Sequence, residues 1–121
     1  MNDYSEKGLL PAGLADMLPP AAAREARINR TLMDVFAGNG YQQVKPPLIE
    51  FEEHLLEGSG AALASKMFRV MDPVSHRMMG IRTDITLQIA RVATTRMKQD
   101  PRPLRLSYAG QVLRVYGSQL R

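Results

Sequence analysis

Met78–Thr86 reads MMGIRTDIT and runs directly into LQIARVATTRM. An apolar stretch enters, a basic and an acidic residue stand at its end, and an amphipathic pattern leaves. The spacing predicts a strand over Met78–Ile81 and a helix after Asp84 that buries Ile85, Ile89, Val92 and Ala93 at i, i+4, i+7 and i+8. Arg82 and Asp84 then sit beside a helix N-terminus, whose first backbone N–H groups have no partner within the helix. Two readings follow. Asp84 or Thr83 caps the helix, a common use of these residue types. Alternatively, the junction recognises a small zwitterion, with Asp84 taking its amine and an arginine its acidic group.

Upstream of the junction, Phe68–Met71 reads as the antiparallel partner of Met78–Ile81, joined to it by Asp72-Pro73-Val74-Ser75-His76-Arg77. Further back, Pro20 or Ala21 opens a helix whose apolar face is Ile28, Leu32, Val35 and Phe36, and Gly38-Asn39-Gly40 stops it in a left-handed turn. Tyr41–Lys45 is a short strand ended by Pro46-Pro47, which marks a sheet edge or exit. Leu48–Phe51 stays extended or turns into a brief helix at Glu52–Leu56, and Gly58-Ser59-Gly60 is a linker. Residues 1–20 form an irregular arm, punctuated by glycine and proline, whose leucines and Met17 call for a packing partner. Downstream, Asp100-Pro101-Arg102-Pro103 ends the second long helix. Leu104–Tyr108 and Val112–Tyr116 read as one strand interrupted at Ala109-Gly110, where glycine points to a bulge or a close backbone approach. The order predicts an α+β fold: an antiparallel sheet flanked by helices, with an arm over residues 1–20 and one domain over 21–121. A final strand without its hairpin partner would be an open edge, so the chain is expected to be a fragment or to have that edge covered.

The composition narrows the chemistry. Of 121 residues, 45% are hydrophobic and 23% charged, as in ordinary globular domains. No cysteine is present, so thiolate metal sites, cysteine nucleophiles and disulfides are excluded. The first ten residues lack a basic leader and an apolar run, and no stretch approaches the roughly 20 apolar residues of a membrane span. A cytoplasmic location is the expectation. The net charge of +4 is carried by Arg102, Arg105, Arg114 and Arg121, because the first hundred residues balance. Such a stretch faces phosphate, nucleic acid or an acidic partner, or simply lies in solvent.

His54 and His76 are isolated from each other and from spaced carboxylates, so no metal site is expected. No serine stands in a nucleophile-elbow context. Glu50, Glu52 and Glu53 are close in sequence, but consecutive strand residues point to opposite faces. The methionines around the hairpin fill a core. What remains is a binding constellation without a nucleophile: Asp84, Thr86 and Arg114, with Arg82 as an anion-binding candidate.

The succession of helix 21–37, GYQQVKPPLIE, the GIRTDIT hairpin and LSYAGQVLRV resembles the class II aminoacyl-tRNA synthetase core in its histidyl-tRNA synthetase branch. Tyr41, Pro47 and Glu50 look like the first motif of that group, which implies a homodimer interface. Gly13, Asp16, Leu18 and Pro19 resemble its N-terminal arm. By position in the second motif, the resemblance implies that Arg114 meets a ligand carboxylate. A synthetase of this branch usually reads Arg-Pro-Glu-Gly-Thr where Arg82-Thr83-Asp84-Ile85-Thr86 stands, and carries an arginine where Ala15 stands. RTDIT and PAGLADMLPP look more like the synthetase-like regulatory subunits of ATP phosphoribosyltransferase. That resemblance implies a non-catalytic subunit without a cofactor. It also implies a partner, the catalytic subunit acting in the first step of histidine biosynthesis, and histidine as effector. Asp84 and Thr86 would then hold the α-amine, a role compatible with capping. Two alternatives remain: a true histidyl-tRNA synthetase core using ATP and tRNA, and a ligand-free dimerisation fragment.

Overall fold

The computed structural model describes residues 9–56 and 64–115. Helix α1 (Ala21–Gly38) begins directly after Pro20. Its exit is held by the Asn39 side chain, which donates to the Val35 carbonyl at 2.8 Å. The left-handed residue is Gly40, with φ of +85°; the chain reverses there, and the Tyr41 N–H donates to the Phe36 carbonyl at 3.0 Å. A side chain at Gly40 would be strained in that conformation.

A three-stranded antiparallel sheet forms the centre, in the order β2 (Ile49–Phe51), β4 (Met78–Ile81), β3 (Arg69–Met71). Glu50 and Arg69 both pair with Gly80, from opposite sides. Glycine is required there because a Cβ would stand 2.5 Å from the Met67 sulfur. The predicted hairpin is present. Asp72 builds its turn, accepting from the Val74 N–H at 3.0 Å and the Ser75 hydroxyl at 2.6 Å. Helix α2 (Glu52–Leu55) follows β2 without a break, and α3 (Thr86–Thr94) follows β4 after a short turn. The linker at Gly58-Ser59-Gly60 lies outside the described residues.

Two sequence expectations need correction. First, β1 (Gln42–Gln43) and β5 (Leu106–Ser107) form a separate parallel pair, so the antiparallel sheet is accompanied by a parallel one. Second, residues 112–115 join no ladder. The break at Ala109-Gly110 carries the chain away from β1, and the Leu113 and Val115 N–H groups donate singly to the Arg82 and Lys66 carbonyls, at 3.0 and 2.7 Å; Tyr116 lies outside the described residues. The apolar stripe of α1 is exposed. Ile28, Leu32, Val35 and Phe36 are 39–54% exposed, and α1 buries none of its residues. Its one ring contact is Phe36 against Tyr41, centroids 5.9 Å apart. The arm is likewise uncovered, with Leu9, Leu10, Leu14, Met17 and Leu18 all exposed.

The core lies instead between the central sheet and α3, around Leu55, Met67, Ile85 and Val92. Ile89 and Ala93, expected there, are only half-buried. The most buried large side chain is polar: Gln88, at 2% exposure.

Candidate functional site

Between the β4–α3 turn and the strip Tyr108–Val112 lies an open cleft of about 490 Å³. Asp84 and Arg114 both line it, together with Glu25 and Asn29 from α1. Asp84 reaches this position because the Asx geometry of the turn holds it: its Oδ1 accepts the Thr86 N–H at 3.0 Å, as an Asp before a helix commonly does. That bond holds the Asp84 carboxyl below the ordinary aspartate range, with the Arg114 charge a smaller contribution in the same direction. The group is therefore an anion throughout the neutral range. Arg114 is anchored through its Nε, which donates to the Thr83 carbonyl at 3.1 Å. A carboxylate and a guanidinium thus share one cleft, the pairing that meets the ammonium and carboxylate of a free amino acid.

Thr86 does not line the cleft. Its hydroxyl stands 3.2 Å from that of Tyr108, and Tyr108 is the residue of this pair that lines the wall. Arg82 departs further from expectation. It is 7% exposed, and its guanidinium donates inward to the carbonyls of Gln111 (2.7 Å) and Pro46 (3.1 Å). With those donors committed and the side chain turned away from solvent, Arg82 is not placed to capture an anion. The Glu50 side chain is 8% exposed and accepts both Nε and Nη2 of Arg91, at 3.1 and 2.6 Å. Its carboxylate is held within the chain by Arg91 and Gln88. Tyr41 lies under the Arg105 guanidinium, 4.4 Å from the ring centroid, and Pro47 is exposed.

Two further ion pairs lie on the surface of the sheet and α2. Glu52 binds Arg69 through two bonds of 2.7 and 2.9 Å, and Glu53 pairs with Arg77, which lies over the Phe51 ring. Arg102 and Arg105 are solvent-exposed and also bond backbone carbonyls. Arg102 donates to the Ala93, Met97 and Asp100 carbonyls, where a cation suits a helix C-terminus. Arg105 donates to the Asn39 carbonyl. Arg121 lies outside the described residues. Glu25 and Asn29 were missed in the sequence; their i, i+4 spacing on the polar face of α1 was the available signal.

The histidyl-tRNA synthetase profile matches residues 13–121. The chain belongs to that family. It is 66% identical over 113 residues to an ATP phosphoribosyltransferase regulatory subunit from Rhodospirillum centenum, covering 93% of this chain and 29% of the relative. It is 61% identical over 121 residues to one from Paramagnetospirillum magneticum, covering 100% of this chain and 32% of the relative. Among solved structures, an ATP phosphoribosyltransferase regulatory subunit/histidyl-tRNA synthetase from Bacillus halodurans superposes with a TM-score of 0.76 at 28% identity, covering 88% of this chain and 27% of that one. This family member therefore has the class II synthetase-like core fold. It spans about a third of the length of the curated relatives it matches. Among the described residues, no helix is long and apolar enough to cross a membrane.

Proposed function

We propose that the chain is the N-terminal part of a non-catalytic regulatory subunit of ATP phosphoribosyltransferase, and that its cleft contributes the amino-acid end of a histidine-sensing pocket. The observation that carries this reading is the 66% identity to a relative of that name. The chemistry of the cleft agrees: Asp84 for the α-amine, Arg114 for the carboxylate, and no nucleophile beside them. Thr86 acts indirectly, by holding Tyr108. The shorter acid at position 84, where a synthetase of this branch carries glutamate, favours the regulatory reading over aminoacylation. The partner is the catalytic subunit, and the protein works in the first step of histidine biosynthesis, in the cytoplasm.

The α1 face, Tyr41 and Pro47 support a homodimer through the first motif, with Glu50 stiffening that motif from inside. Reconstitution tests the functional reading. The full-length protein added to a short catalytic subunit should raise phosphoribosyl transfer and make it sensitive to histidine. A catalytic subunit indifferent to the addition would contradict the proposal.

A further inference from the structure

Arg82 is a buried cation with no carboxylate on its guanidinium among the described residues. Burial of a charge is costly unless hydrogen bonds compensate it, and here the partners are all neutral oxygens: the Gln111 and Pro46 carbonyls and, at 3.4 Å, Gln88 Oε1. A negative charge is reached through Gln88. Its Nε2 donates to the Pro47 carbonyl at 2.6 Å and to Glu50 Oε2 at 2.8 Å, and Glu50 in turn holds Arg91. The amide orientation is forced. Flipped, Gln88 would set its NH₂ against a guanidinium and its oxygen against a carboxylate. Charge therefore alternates along a chain from Arg82 through Gln88 and Glu50 to Arg91.

The other end of this chain is the cleft wall. Arg82 Nε fixes the Gln111 carbonyl, and a Cβ at Gly110 would overlap the guanidinium, so the wall is pressed against it. The Arg82 carbonyl accepts the Leu113 N–H at 3.0 Å. Arg82 thus grips the 110–113 strip with both side chain and backbone, two residues before Asp84 on the facing wall.

We propose that Arg82 is a positioning residue for the cleft, and that the Arg82–Gln88–Glu50–Arg91 chain ties the cleft wall to the first-motif segment Pro46–Glu50. A perturbation at that segment then shifts the wall that faces Asp84. Only the identity of the ligand that feels this shift rests on the histidine reading.

The Leu113 amide reports the coupling without any ligand, because its protection depends on the strip staying docked on Arg82. Glu50→Gln removes the charge at the far end of the chain while keeping the shape. In the full-length protein it should speed Leu113 exchange on the order of tenfold and leave the Tyr41 amide, which is bonded to Phe36, unchanged. Arg82→Lys should do the same at the near end, and Arg69→Gln, in the separate Glu52 pair, should change neither amide. Leu113 unmoved by Glu50→Gln would overturn the coupling, as would equal acceleration at Leu113 and Tyr41. If wild-type protein binds no histidine while Leu113 still responds, the positioning stands and the histidine reading fails.

Discussion

Asp84 stands both at the entry of α3 and on the cleft wall, so the capping and recognition readings fall on one carboxylate. Its carboxylate accepts the Thr86 N–H at the start of α3 and still lines the cleft opposite Arg114. Asp84→Ala should cost about 1 kcal/mol, as loss of a helix-entry acceptor does, measured by denaturant unfolding. A cost near zero would remove the entry role. Because the folded carboxyl titrates below the ordinary 3.8, its stabilising contribution is present above that value and is lost as pH falls below it through the folded pKa. Asp84→Asn should therefore flatten part of the stability loss below about pH 4, and an unaltered acid limb would contradict this. Gly110→Ala tests the close approach. The methyl group must displace Arg82 or the strip, so destabilisation of about 1–3 kcal/mol is expected; a neutral substitution would show the contact to be loose. The glycine and the aspartate were legible in the sequence. The direction of Arg82 was not, because its acceptors are carbonyls of Pro46 and Gln111, and no residue pattern encodes where distant carbonyls will lie.

At the scale of elements, the strands and helices around Met78–Thr94 and the α1 boundaries followed from periodicity and from glycine and proline punctuation. Periodicity names an apolar face without naming what covers it, and the α1 face stays exposed in the single chain. Similarly, the parallel β1–β5 pairing joins segments more than sixty residues apart, and local pattern carries no signal for it. The uncovered stripe makes its own prediction. In dilute, monomeric protein Phe36→Ala should cost about 1 kcal/mol, well below the value for a fully buried ring. At concentrations where the protein self-associates the cost should grow, since association adds to apparent stability. Denaturant series at two concentrations check this, and a large, concentration-independent cost would place Phe36 inside a single chain. Sedimentation should likewise show mass rising with concentration for wild type and a constant monomer for Leu32→Glu.

Across the whole molecule, the pattern is a small apolar core supplemented by arginines that each have a defined partner: Arg91 with Glu50, Arg69 with Glu52, Arg77 with Glu53, and Arg82 with carbonyls and Gln88. The cleft is open, and the chain spans 29–32% of its curated relatives. We propose that Asp84 and Arg114 hold an amino acid for sensing and not for activation. Calorimetric titration of histidine into the full-length protein, followed by ATP, tests it most directly, with Asp84→Ala alongside. Saturable histidine binding without ATP consumption is expected, weakened at least tenfold in Asp84→Ala through loss of a charge-assisted contact. ATP-dependent activation of histidine, or equal affinity in the two proteins, would contradict it.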